Sequence, residues 1–448
     1  MKYRPILALL LALLPAALLL GGCGASATPE ETPAPAATPG SSLARRPIPS
    51  FDPNRSAATE TPPAPTPAPA PTPEPTPEPT PAPEAYQLNV TVSDDGRPCP
   101  YLTDGYETST QGFAPGAELT LTAGEPVGSL YLIWSSRPAP WSLTADGETL
   151  AGGTEGFFHE YLELPEPTET LTLSLPAEER AELREVYAFS PGTPPDWVQR
   201  WLPPCEAADL LLFVTHSDDE FIYFGGMLPR YAGGEGLEVQ VAYLVDHYAY
   251  ERHRWNELLN GLWHAGVRHY PVCAGFPDSL PPSLEQIKAA YGEENVLHWQ
   301  VEQLRRFRPL VVATHAENGE YLNFTHMLCA LCAEQAVVLA EDPEQFPESA
   351  ERWGTWRTPK LYVHLYGDGP TVVDYETPLE TLGGKTAFEV AEECYRLYTS
   401  QLAYAYRVYG ADYPQFDSHL FGLCRSLVGE DEAKTDLMEH IDKAEWRS

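Results

Sequence analysis

The sequence predicts an α/β domain, a mostly parallel sheet with helices on both faces, preceded by a small β-sandwich domain. Three features of the 448-residue chain point there. Beyond Pro203-Pro204, near-continuous apolar runs alternate with amphipathic stretches, as expected of strands buried on both faces and joined by helical crossovers. Before that point the runs are short, alternate with period two and are separated by Gly, Pro and Asp turns, which reads as antiparallel strands. Earlier still, proline takes the place of the large apolar side chains that a core requires.

Residues 1–22 have a short basic start, an apolar run over 6–20 and small residues at the end, the form of a secretion signal. Leu20-Gly21-Gly22-Cys23 resembles a bacterial lipobox, which implies a diacylated Cys23 and a protein anchored by lipid to the extracellular face of the bacterial cell membrane. A single-pass anchor is the alternative, although the run is short for a span. Residues 23–85 then form a spacer: 19 of the 47 prolines fall between positions 24 and 85, many in Pro-Thr-Pro-Glu repeats. In polyproline geometry such a segment reaches at most ~190 Å.

Residues 86–199 carry the alternating runs, among them Leu88-Asn89-Val90-Thr91-Val92 and Thr170-Leu171-Thr172-Leu173-Ser174. Several within about a hundred residues suggest a β-sandwich of the jelly-roll kind seen in carbohydrate-binding modules. Trp134 and Trp141 could stack on sugar rings or fill the core, and burial tendencies favour the core. Residues 206–448 form the α/β domain, with strands expected over 208–214, 237–245, 269–274, 309–314 and 361–365 and helices over 252–265 and 284–307. In such a Rossmann-like sheet the functional crevice lies outside the carboxyl ends of the strands.

The formal net charge of -36, from 64 acidic and 28 basic side chains, leaves no basic stripe to neutralise phosphates. Nucleic acid and anionic lipid surfaces are therefore excluded as electrostatic partners. Seven cysteines besides Cys23, without regular spacing, do not make a disulfide framework. Cys329-Ala330-Leu331-Cys332 has CxxC spacing, yet its alanine-rich apolar surroundings read as a helix interior rather than a redox or metal site.

Two expected strand ends deliver polar clusters. The first runs into Thr215-His216-Ser217-Asp218-Asp219-Glu220, and the second into the stretch from His315 to His326. Three adjacent carboxylates repel one another unless a cation or solvent takes up their charge. One imidazole and one carboxylate from the first loop, with an imidazole from the second, would supply the three protein ligands of a catalytic zinc site, and a spare carboxylate the base. The plain alternative is a helix N-terminus, where acids sit well against the dipole.

His216-Ser217-Asp218-Asp219-Glu220 followed by Phe224-Gly225-Gly226 resembles the HPDDE and GG signature of the PIG-L/LmbE-like N-deacetylases. The likeness continues through Arg254-Trp255-Asn256-Glu257, Phe276-Pro277-Asp278, Thr314-His315 and Asn318-Gly319-Glu320-Tyr321 before His326. It implies a zinc-dependent enzyme that removes an acetyl group from an acetamido sugar or a glycan carrying one. Carried over by position, His216, Asp219 and His326 would hold Zn2+, Asp218 would take a proton from water, Tyr321 would hydrogen-bond the tetrahedral intermediate and Arg254 would contact substrate.

Three positions depart from the pattern. Asn323 stands where the resemblance implies an oxyanion-stabilising histidine, Leu322 where it has glycine, and Ser217 where it has proline. An amide still donates a hydrogen bond, but a neutral donor is about half as strong as a charged one. His315 and His247 each follow an expected strand and could approach the vacated position. Two functions follow: an N-deacetylase using Asn323 in the histidine's place, or a degenerate relative serving as a glycan-binding surface protein.

Overall fold

The computed structural model describes residues 83–247 and 251–447. The expected leader, Cys23 and nearly all of the spacer lie outside the described residues. No helix among the described residues is long and apolar enough to cross a membrane.

The α/β part is one seven-stranded sheet. Its strands are β1 (Leu210–Val214), β2 (Val239–Asp246), β3 (Val272–Pro277), β4 (Val311–Thr314), β5 (Lys360–His364), β6 (Thr371–Val372) and β7 (Leu420–Ser426), in the order β3-β2-β1-β4-β5-β7-β6. β1 to β5 run parallel, and β7 pairs antiparallel with both β5 and β6. β1 explains the uninterrupted apolar pattern. Leu210, Leu212 and Val214 join the core on one side of the sheet, while Leu211 and Phe213 join the core on the other. The strand order reverses between β1 and β4, so a crevice opens where their carboxyl ends diverge.

The helices that matter for the crevice are α1 (Asp219–Ile222), α2 (Arg252–His264), α3 (Leu284–Tyr291), α4 (Glu293–Phe307), α5 (Phe324–Leu339) and α6 (Ala387–Arg396). The single helix expected over 284–307 is two helices, because Gly292 takes φ +76° and ends α3 where α4 begins. β1 to β4 each start two or three residues later than expected. The amide of Ala208 bonds to the carbonyl of Phe307 instead of joining the ladder. β6 and β7 had no counterpart in the sequence reading, because β7 is largely half-buried and lacks the apolar run of its neighbours. Cys329 and Cys332 are buried free thiols on α5.

The preceding region is a single nine-stranded sheet rather than two separate ones. Its longest strands, Glu118–Trp134 and His159–Ser174, pair antiparallel with register shifts between Thr122 and Ser129. Such bulges bend a strand. Leu119 and Leu121 from one half of the bent strand and Leu130, Leu132 and Trp134 from the other meet in one core. Trp134 and Trp141 are buried, and both indole N–H groups donate to Glu160.

This sheet is fastened to the helix that carries Arg254. The Phe158 amide donates to Tyr270 Oη at 3.1 Å, and Trp255 Nε1 of α2 donates to the same oxygen at 3.1 Å. His159 lies between Tyr131 Oη, 2.5 Å from Nδ1, and Asn256 Oδ1, 3.1 Å from Nε2. That geometry fits a neutral ring with its proton on Nε2. Burial lowers His159 to about 3, with the Asn256 hydrogen bond opposing.

As pH falls below the ordinary histidine value, the unfolded chain takes up a proton that the folded ring refuses, so stability falls. Urea unfolding should show the stability gap between the native protein and a His159→Gln variant narrowing by about 2 kcal/mol from pH 7 to pH 5. A gap independent of pH would show that His159 titrates alike in both states.

Candidate functional site

At the switch point, the turn after β1 places His216 and Asp219 beside His326 from the first turn of α5. His216 Nδ1 is 3.1 Å from Asp219 Oδ2 and 3.0 Å from His326 Nε2, and the latter is 3.2 Å from Asp219 Oδ2. Three donors bonded tetrahedrally to one zinc at ~2.0–2.1 Å would stand about 3.3 Å apart, so the triangle is close to the size a cation needs.

The hydrogen bonding around it gives an independent reason. His326 Nδ1 faces Glu320 Oε2 at 2.7 Å, which directs the Nε2 lone pair at the triangle. His216 Nε2 faces Asp278 Oδ1 across 3.6 Å, on the side away from the triangle. Two imidazole lone pairs pointing together need a cation or a proton between them. Burial would lower His326, but Asp219 and Glu320 outweigh it and raise the group to about 10. Two imidazoles and a carboxylate therefore suit a divalent metal. Cys205, Glu238 and His269 also cluster just before the amino ends of β1, β2 and β3, but burial pushes that thiol up to about 12, away from the thiolate a metal binds.

Glu320 organises the layer beneath. Its Oε1 receives His315 Nδ1 at 3.2 Å, His364 Nδ1 at 3.0 Å and the Ala316 amide at 2.9 Å. Burial alone would raise this carboxyl, yet His315, His326 and His364 together hold it well below the usual range. His315 Nε2 in turn accepts the Thr215 amide at 3.0 Å. Both its nitrogens are occupied and its ring is buried, so it does not take the role expected at position 323. His247 does reach the cavity wall, where Nδ1 is 2.8 Å from Ser217 Oγ and Nε2 is 3.4 Å from Asp278 Oδ2.

Asp218 lines the cavity from a strained backbone, at φ +116°. Its amide donates to Glu220 Oε2 at 2.8 Å, and its Oδ1 is 3.2 Å from Arg254 Nη2. Burial pushes Asp218 well above the usual carboxylate range, Arg254 opposing, whereas for Asp219 the effect of burial is outweighed by His326 and His216 and the group lies well below it. The two adjacent aspartates are thus driven apart. Arg254 also donates to Ser217 Oγ at 3.2 Å and to the Ser217 carbonyl, so much of its fork is committed to the loop while its edge lines the cavity.

Asn323 has a double position. Its Oδ1 caps α5 by accepting the amides of Thr325 at 2.9 Å and His326 at 3.3 Å, and its Nδ2 donates to Tyr321 Oη at 3.0 Å. Leu322 takes φ +68°, the left-handed conformation that a glycine would adopt without strain. The Gly225-Gly226 pair permits close packing: a Cβ on Gly225 would stand 2.2 Å from Ser418 Oγ, and one on Gly226 2.7 Å from the Tyr375 ring.

The sequence reading overlooked Glu320 as the organiser of the histidines, and His364 and Tyr398 altogether. Tyr398 donates to Glu220, which burial raises to about 7. For His364 a signal existed, a histidine directly after the apolar run Leu361-Tyr362-Val363; for Tyr398 there was none.

No protein-family profile matches the chain. It is similar to 1D-myo-inositol 2-acetamido-2-deoxy-alpha-D-glucopyranoside deacetylase 1 of Catenulispora acidiphila, 31% identical over 186 residues that cover 36% of this chain and 56% of that protein. It is also similar to mycothiol S-conjugate amidase of Streptomyces coelicolor, 35% identical over 102 residues, 21% of this chain and 32% of that protein. The chain thus spans about half or less of the length of these relatives. Among solved structures it is similar to the N,N'-diacetylchitobiose deacetylase from Pyrococcus horikoshii, at 19% identity over 46% of this chain and 72% of that one, with a TM-score of 0.33.

Replacing Glu320 by Gln removes the charge that orients His326 while keeping the shape. Divalent-metal affinity, measured by competition with a chelating dye, should fall by about 10- to 100-fold. Unchanged affinity would mean that His326 is not held for a metal by Glu320.

Proposed function

We propose that this chain, related by sequence to the PIG-L/LmbE-like deacetylases, is a zinc-dependent hydrolase removing the N-acetyl group from an N-acetylglucosamine-type sugar or glycoconjugate at the cell surface. The observation that carries this reading is the convergence of His216 Nδ1, Asp219 Oδ2 and His326 Nε2 within 3.0 to 3.2 Å of one another, on a cavity that also presents Asp218 and Tyr321. Two nitrogens and one oxygen suit zinc better than magnesium or calcium, which favour oxygen donors. Zinc held there would polarise the acetamide carbonyl and make an adjacent water more acidic.

The chain's own groups do the rest. Asp218, whose proton affinity is raised by burial, accepts the proton of the attacking water and returns it to the departing amine. Arg254 fixes the direction of that carboxylate. Tyr321 keeps its proton, because burial raises its hydroxyl, and its oxygen already accepts from Asn323. The hydroxyl hydrogen is therefore available to the oxygen that gains charge as the carbonyl is attacked. Asn323 supports this donor and caps the ligand helix, which is how an amide takes up part of the place of a charged imidazole. The location rests on the leader and on Cys23, whose acylation would place the enzyme outside the cell with the Pro-rich spacer as its tether.

Purified protein should carry about one zinc per chain and release acetate from an N-acetylglucosamine conjugate. Asp218→Asn should cut acetate release about 100-fold or more while zinc content stays the same. Zinc content with no acetate from any acetamido sugar would instead leave the glycan-binding reading that Leu322 and Asn323 raise. Cells fed labelled palmitate should label the native chain and leave a Cys23→Ser variant unlabelled, and label on both would remove the lipid anchor.

A further inference from the structure

The cavity above the His216, Asp219 and His326 triangle measures about 250 Å³. Sites that enclose a drug-sized ligand usually run to ~300–1,000 Å³, so this one takes about a single sugar ring. A larger cavity of about 620 Å³ lies at the far end of α2 between Trp197 and Trp263, and it contains none of the site's titratable groups. Whatever else the substrate carries must lie across the rim of the smaller one.

That rim is aromatic. Tyr321 stands on the cavity wall, the Tyr406 ring follows with centroids 6.2 Å apart, and the Tyr404 ring follows that at 6.5 Å. Tyr321 is 40% exposed, Tyr406 39% and Tyr404 60%, so all three rings of the row reach solvent. Their planes are tilted by 42° and 43°, so the three rings are not stacked on one another, although Tyr321 stacks on Tyr223 on its inner side. Core packing accounts for part of Tyr321, which lies against Tyr223 and Phe416, but not for the exposed Tyr406 and Tyr404 beside a polar cavity, and exposed apolar surface of this kind marks a binding face. Leu280, 82% exposed, borders the same opening, and the Gln401 amide and Glu251 carboxylate beside it can bond hydroxyl groups. Aromatic faces flanked by amide and carboxylate groups suit the apolar C–H faces and equatorial hydroxyls of sugar rings.

We propose that Tyr321, Tyr406 and Tyr404 form a glycan subsite that holds the sugar residues adjoining the one being deacetylated, so that the substrate is an oligosaccharide or glycan chain rather than a free acetamido sugar. The inference rests on the deacetylase reading for its reaction and on the tyrosine row for its length. The occupant is specified by continuity, since the row begins at the wall where the reacting acetamide would sit.

Acetate release from N-acetylglucosamine and from its β-1,4-linked oligomers of two to four units tests it on the full, zinc-loaded chain. kcat/KM should rise about tenfold or more from one unit to three, chiefly through KM. In Tyr404→Ala and Tyr406→Ala the ratio of trimer to monomer should fall towards one, and Tyr406→Phe should keep most of it. A monomer processed as well as the trimer, or a ratio untouched by both alanine variants, overturns the subsite while leaving the deacetylase standing. If no oligomer releases acetate, the deacetylase reading fails, and calorimetry with Asp218→Asn decides the subsite separately. Affinity that grows with oligomer length and is lost in the Tyr404→Ala, Asp218→Asn double variant supports the row, and affinity independent of length overturns it.

Discussion

The site depends on one buried carboxylate. Glu320 accepts from His315, His326 and His364, which come from the end of β4, the start of α5 and the end of β5, and from the Ala316 amide. A carboxylate shut away from water without partners would cost several kcal/mol, and one surrounded by donors is instead a fixed centre of negative charge. That centre ties three separate elements together and decides which nitrogen of His326 points at Asp219. The triangle of His216, Asp219 and His326 is therefore held in place from below.

Strain gathers around the same point. Asp218, Glu320 and Leu322 all have positive φ, where side chains other than glycine are disfavoured by about 1–3 kcal/mol each. Each is held by named contacts: the Asp218 amide by Glu220, the Glu320 amide by Asn318 Oδ1 at 2.9 Å, and the turn at Leu322 by the capping bonds of Asn323. The turn after β1 can thus aim two consecutive aspartates differently, one at Arg254 and one at the imidazoles. Burial then separates them electrostatically, since Asp219 has positive partners close by and Asp218 has chiefly Arg254.

Asn323 takes on a different meaning in this setting. Judged by donor strength alone, an amide in place of an imidazole is a loss. In the structure its oxygen caps the helix that carries His326, a role in which asparagine is among the best residues, and its nitrogen supports Tyr321. The second strand-end loop is thus built around a cap and a tyrosine.

What the sequence determined by itself was whatever is written in short-range pattern. Continuous apolar runs marked β1, β2 and β4 because each face of those strands meets its own core, and the polar clusters after β1 and β4 stood out because strand ends are where such residues can emerge from the sheet. Gly292 is equally visible in the sequence, but helical periodicity on both sides of it conceals the break between α3 and α4. Tertiary structure alone decided the partners. That Glu320 serves three histidines, that Arg254 faces Asp218, that Tyr398 closes on Glu220 and that Tyr404 and Tyr406 extend the wall begun by Tyr321 are contacts between residues up to 178 positions apart. Periodicity records which face of an element is buried, whereas hydrogen bonds and ring contacts depend on which distant element packs against that face, and only the assembled sheet and its helices specify that.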